Sequence, residues 1–235
     1  MFTIAGCIGI AVKSGQSYGF PEWLTKDNAI FGQPVDRIND CLLNPLPTIP
    51  EGVEFADYGY FWGYRDIYLP TGNWTIDAHM QSEKFFAHCI NLVREIFTFK
   101  DEYPQSDYVA IHYRAGDYID DENAHHPRCN REYYIKAMAQ FPGEQFIVFS
   151  DDAREAYKIF GDEVLYPINE TYIEDFKLMK SCKSFITSNS SFSLMAAILG
   201  THPDKKIITP ERWFGKGMPP EFDKKDIYPA EAVIL

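Results

Sequence analysis

A chain of 235 residues, 46% apolar and 16% aromatic, is long enough to bury one large core or two small ones and is rich in broad contact surfaces. Its formal charge of −12 argues against a nucleic-acid partner, whose phosphates need a net basic face, although local cations can still hold one small diphosphate. The five cysteines (Cys7, Cys41, Cys89, Cys129 and Cys182) are scattered, odd in number and without a C-x-x-C pair, which argues against a disulfide framework or zinc site and for a reducing compartment.

In chain order, the first twelve residues are apolar, lack a basic leader, end at Lys13 and are too short to span a bilayer. They read as a buried helix over 1–15, closed by Gly15, in a soluble cytoplasmic chain that is at most peripheral to a membrane. Residues 27–76 are rich in Pro, Gly, Asn and Tyr and read as loops with short strands, such as 53–56. Over 83–97, Phe86, Cys89, Ile90, Val93, Ile96 and Phe97 recur at helical spacing. The polar stretch 100–107, with Pro104 inside it, marks a boundary between halves 1–105 and 106–235. The glycosylation sequons at Asn73, Asn169 and Asn189 read as chance matches, and His79 and His88 as structural.

From residue 108 strands and helices alternate: strand 108–113, helix 131–140 capped by Asn130, strand 145–149, and helix 153–160 closed by Gly161. Strand 163–166, helix 172–181, strand 184–187, helix 191–199 closed by Gly200, and strand 206–209 ending at Pro210 come next. This alternation predicts an α/β fold with a parallel sheet in the C-terminal half.

Three polar clusters each stand directly after a predicted strand: His112-Tyr113-Arg114-Ala115-Gly116-Asp117, Ser150-Asp151-Asp152, and Thr187-Ser188-Asn189-Ser190-Ser191. Ligands of open parallel sheets bind at the carboxyl ends of the strands, so the clusters point into one cleft. Arg114 can pair with a diphosphate or with a carboxylate such as Asp117. Ser190 and Ser191 open a helix, where they can bind an anion or serve as a cap. Asp151 and Asp152 can cap the next helix, and they also resemble, weakly, the D-x-D pair of metal-dependent glycosyltransferases. His125 and His126, near Asp120, Asp121 and Glu122, fit no metal-ligand spacing and read as a solvated loop. No G-x-G-x-x-G or Walker loop is present, which removes the commonest nicotinamide and ATPase readings, and no Ser-His-Asp set can be assembled from sequence position alone.

The clusters, in this order, resemble the α-1,2-fucosyltransferases of glycosyltransferase family 11, whose H-x-R-x-x-D type motif is His112-x-Arg114-Ala115-Gly116-Asp117 here. The likeness extends to Gln81–Phe86, Tyr133-Tyr134, Phe149–Asp152, Asp175–Met179 with Cys182, Asn189–Ser193 with Ala196-Ala197, Trp213-Phe214 after Pro210, and Asp226–Pro229. The chain departs from the family at Ala115, where a second arginine is usual, and at Leu194-Met195, near which tryptophans are usual. The family also carries a strand and glycine-rich loop ahead of its Met-Phe pair, whereas this sequence opens at Met1-Phe2, so that strand and loop are expected to be missing.

The resemblance implies a GT-B-type fold of two Rossmann-like halves, with the acceptor at residues 1–105 and the nucleotide sugar at 106–235. It implies an inverting transfer of fucose from GDP-fucose to a galactose hydroxyl of a glycan, with no metal and no cofactor beyond the donor. His112 and Asp152 would lie near the guanine or ribose, and Arg114 with Ser190, Ser191, Phe192 and Ser193 near the β-phosphate. Asp117 and Glu83 are both candidate general bases. The alternatives are another nucleotide-sugar donor, or an inactive nucleotide- or glycan-binding protein.

Overall fold

Strand β3 (Ser106–Tyr113) sits inside a five-stranded parallel sheet because its last five residues, Val109 to Tyr113, are buried on both faces. The computed structural model describes residues 1–21, 38–118, 120–222 and 224–235. The chain divides into two compact units, Met1–Glu102 and Tyr103–Leu235.

In the first unit, α1 (Phe2–Lys13) buries Phe2, Ile4, Ala5, Ile8, Ile10 and Ala11, as an almost wholly apolar helix must. Its end is fastened by Ser14, whose hydroxyl accepts the Leu69 amide at 2.9 Å. After the short helix α2 (Ile38–Cys41), strands β1 (Ala56–Trp62) and β2 (Trp74–His79) pair in parallel, Ala56 opposite Trp74 and Trp62 opposite His79. The strand expected at 53–56 thus begins where it was expected to end, and residues 27–37 of that loop-rich stretch lie outside the described residues.

The helix expected over 83–97 is broken into 3-10 turns at Glu83–Phe85 and Ala87–Cys89, followed by α3 (Ile90–Ile96). Phe85 and Phe86 are adjacent and both buried. Phe86 leaves helical geometry at φ −133°, between the two 3-10 turns.

The second unit adds α4 (Arg131–Met138), β4 (Phe146–Ser150), α5 (Ala153–Phe160), α6 (Tyr172–Lys180), β5 (Cys182–Ile186), α7 (Ser191–Leu199), β6 (Ile207–Thr209) and β7 (Ala232–Ile234). The sheet order is β4-β3-β5-β6-β7, and all neighbours are parallel. The predicted strand 163–166 is a single parallel bridge from Leu165 to Ile147: Val164 alone among its residues is buried, too little to hold a full strand at the sheet edge. Strand β7 has no counterpart among the predicted elements; Lys205 ties its approach to α7 by bonding the carbonyls of Ala197 and Gly200 and the carboxylate of Glu231. Among the described residues no helix is long and apolar enough to cross a membrane.

Helix α4 starts where the Asn130 side chain accepts the Tyr133 amide at 2.9 Å, and it delivers two buried tyrosines beneath the strand ends. Tyr134 donates to the carbonyl of His112 at 2.9 Å, and Tyr133 to that of Thr187 at 2.6 Å. Burial raises both phenols well above their ordinary range, so both stay protonated donors. Tyr134→Phe is expected to cost about 1 kcal/mol in chemical denaturation, the net worth of one buried hydrogen bond; an unchanged midpoint would contradict this role.

Candidate active site

Register brings the polar clusters together. Tyr113 lies opposite Ser150, and Ile111 opposite Ile186, so the chain leaves the sheet at three adjacent carboxyl ends. The Asp151 carboxylate joins two of these ends. It accepts the Ala115 amide at 2.8 Å and the Gly116 amide at 3.0 Å, and it lies 3.0 Å from a terminal nitrogen of Arg114. A Cβ at position 116 would stand 2.8 Å from the same carboxylate, so a larger residue there would push Asp151 aside.

Arg114 also donates from Nε to Asp117 at 2.8 Å. Two carboxylates thereby fix Nε and Nη1, while Nη2 meets no acceptor among the described residues. The Tyr118 ring lies 5.7 Å from the guanidinium carbon. The two carboxylates are unequally placed: the Asp117 side chain is 65% exposed, and that of Asp151 25%. Asp117 is the partner that solvent or a ligand can replace.

His112 is buried, with Nδ1 2.8 Å from the Ser188 hydroxyl and its ring 5.6 Å from that of Phe192. Burial pushes the imidazole down to about 4, aided by the nearby Arg114 charge, so His112 is neutral near pH 7. The Tyr118 hydroxyl, pushed up to about 12 by burial, donates to the carbonyl of Asn189 at 3.1 Å. Asn189 is itself buried and donates to the carbonyls of Pro127 and Trp213, both at 2.9 Å. The loop between β5 and α7 is therefore held from several sides, and the sequon at Asn189 is inaccessible.

The adjacent acids part company. Asp151 turns to β3, whereas the Asp152 carboxylate caps α5 by accepting the amides of Arg154 and Glu155 at 3.0 Å each. Ser190 caps α7 through the Phe192 amide at 3.3 Å, and the Ser193 hydroxyl returns to the Ser190 carbonyl at 3.3 Å. Ser191 and Phe192, half-buried, form the first turn of α7. His112, Arg114, Asp117 and the Ser190 to Ser193 turn thus gather at the ends of β3 and β5, with Asp152 at the start of α5. Glu83 belongs to the first unit. No three His, Cys, Asp or Glu side chains group as metal ligands among the described residues.

His126 does not lie in a solvated loop as expected: its ring stacks on Tyr118 with centroids 5.3 Å apart and planes 15° apart. Sequence reasoning also misses the roles of Asp151, Tyr118 and Arg128. Arg128 donates to the carbonyl of Ala115 at 2.9 Å and to that of Tyr118 at 3.2 Å, stiffening the loop after β3. Gly116 is the available signal, since a glycine so soon after a strand-end arginine marks a close approach.

With this geometry, the family assignment is direct. The model of glycosyl transferase family 11 matches residues 55–227, and the chain belongs to that family of glycosyltransferases. It is 34% identical over 226 residues to the O-antigen biosynthesis glycosyltransferase WbnK of Escherichia coli, covering 86% of this chain and 70% of that protein. It is 32% identical over 165 residues to an alpha-1,2-colitosyltransferase of Escherichia coli, covering 61% of this chain and 57% of that one. Among solved structures, the E. coli heptosyltransferase WaaC with ADP is similar at a TM-score of 0.37 and 12% identity, over 57% of this chain and 39% of that chain. A likeness this weak says nothing about the site.

His112 makes the site acid-sensitive. Its folded value of about 4 lies below the ordinary 6.5, so its contribution to stability is complete above pH 6.5 and is lost as pH falls through 4. Melting curves from pH 7 to 4 should show a decline that is shallower in His112→Asn, which cannot titrate; equal slopes would place the acid sensitivity elsewhere.

Proposed function

We propose that this glycosyltransferase moves fucose from GDP-fucose to a galactose hydroxyl of a glycan, with inversion and an α-1,2 linkage, on a GT-B-type scaffold whose Tyr103–Leu235 unit holds the donor. The observation that carries the reading is Arg114, fixed at a parallel-sheet carboxyl end by two carboxylates with its side chain still 34% exposed. A fixed, partly exposed guanidinium is suited to a diphosphate. The first turn of α7, with Ser190, Ser191, Phe192 and Ser193, adds amides and a helix dipole beside it. His112 and Asp152 then border the guanosine.

One cation faces two carboxylates here, because Ala115, buried in the core, stands where the family usually has a second arginine. An incoming β-phosphate therefore competes with Asp117 for Arg114. Asp151 stays in place because it also holds two amides. The displaced Asp117 carboxylate becomes free to act as a base, with Glu83 as the other candidate. The acceptor oxygen attacks the anomeric carbon from the face opposite the phosphate. The bond from that carbon to the β-phosphate oxygen breaks, its electron pair leaves with GDP, and the hydroxyl proton passes to the base. Arg114 and the α7 dipole stabilise the leaving charge, so no metal is required.

A second reading keeps the reaction and changes the donor. The relative named as an alpha-1,2-colitosyltransferase favours it, since that name gives a sugar other than fucose. Assays with GDP-fucose, GDP-colitose and UDP-galactose distinguish the two: consumption of GDP-fucose supports the first reading, and consumption of GDP-colitose alone supports the second. GDP binding without transfer or hydrolysis would indicate an inactive binding protein. Turnover is expected to survive EDTA, and dependence on added Mn²⁺ would overturn the metal-free mechanism.

Displacement of Asp117 makes a further prediction. Asp117→Asn should slow transfer on the order of a hundredfold, as expected for loss of a general base. Its GDP affinity should be unchanged or tighter, because a competing charge is gone. Weaker GDP binding in this variant would contradict the exchange.

A further inference from the structure

His126 has a place in the site that the transfer step does not use. Its ring lies stacked on Tyr118, with Phe214 packed against it at 5.7 Å. Tyr118 in turn faces the Arg114 guanidinium and reaches the β5–α7 loop through its hydroxyl. The loop carrying His126 is clasped from outside: the Gly215 amide donates to the His125 carbonyl at 3.0 Å, and the Lys216 amide to the Glu122 carbonyl at 2.8 Å. Any side chain at position 215 would collide with the carbonyl of Ala124. The stack is therefore compressed between a fixed backing and the cation of the site.

We propose that His126 is a positioning residue: its neutral ring holds Tyr118 against Arg114, keeps the guanidinium in the orientation that receives the phosphate, and releases that orientation when protonated. The proposal rests on the donor reading only for what Arg114 binds. The protonation half comes from the surroundings. Nδ1 of His126 is buried without a hydrogen-bond partner, so a proton placed there would be a donor with no acceptor. Burial lowers the imidazole from its ordinary range, Asp117 opposes this, and His125 adds to it. Across Tyr118 stands the Arg114 cation. On the packed segment from Arg212 to Lys216, both cations are engaged by Glu122, and Phe214 carries no charge.

The test compares His126→Phe, which keeps a stacking ring that cannot titrate, with His126→Ala, which removes it. Two readouts are taken on the full chain: the NMR signal and exchange rate of the Arg114 Nε–H, and calorimetric titration with GDP and with GMP. In His126→Ala the Nε–H should exchange faster and GDP binding should weaken about three- to tenfold, the worth of one aromatic pair, with GMP nearly unchanged. His126→Phe should restore both at pH 7.5. On acidification, the wild-type Nε–H signal should shift in step with the His126 imidazole, and in His126→Phe it should not. An Nε–H that ignores both substitutions and the His126 titration overturns the proposal. If the Nε–H responds as expected while wild type binds no GDP, the positioning role stands and the donor reading fails.

Discussion

The Asp151 carboxylate is the constraint on which the site depends. Placed one residue beyond β4, it gathers two amides and a guanidinium from the end of β3, and so makes one rigid object of two neighbouring strand ends. Charge-assisted hydrogen bonds of this kind are each worth about 1.5–3 kcal/mol, more than the ordinary turns around them. The turn geometry depends on it, including the glycine at 116. So does the direction of Arg114, which cannot swing away from the sheet end without losing Asp151. The remaining contacts act on this object from other directions: Arg128 on its carbonyls, the Tyr118 ring on the guanidinium, and Tyr134 on the carbonyl of His112 within β3.

Such an arrangement holds one cation between two carboxylates of unequal exposure. Asp151, partly buried and bonded to backbone, sets the position of Arg114, whereas Asp117, exposed and bonded to Arg114 alone among the described residues, keeps it occupied until a ligand arrives. On the proposed function, a donor that exchanges with Asp117 would gain the guanidinium and release a carboxylate as it did so. Burial of His112 in its neutral form keeps a further positive charge out of the same space.

The sheet and the meeting of three clusters were legible in the sequence, because strand-helix alternation is local and its punctuation is explicit. Asn130, Asp152, Thr171 and Ser190 all cap the helices that start beside them, and Gly161 closes α5 at φ 68°. What escaped is non-local. Which of Asp151 and Asp152 turns inward depends on contacts 35 and 36 residues away, and the stack of His126 on Tyr118 depends on a backing segment some ninety residues later, near Phe214. At 83–97 the apolar spacing was helical, but it does not report the backbone break at Phe86, where φ is −133° between two 3-10 turns. Strand β7 is three residues long and mostly exposed, leaving no pattern to read.

The central claim is that Arg114 at the end of β3 receives the β-phosphate of the donor. Calorimetric titration of GDP and GMP into wild type and Arg114→Ala tests it directly, because the two nucleotides differ only in that phosphate. The account predicts that GDP binding weakens about thirtyfold, the equivalent of one charge-assisted contact near 2 kcal/mol, while GMP binding barely changes. Equal weakening of both nucleotides, or no change in either, in a variant with an intact melting transition would contradict it.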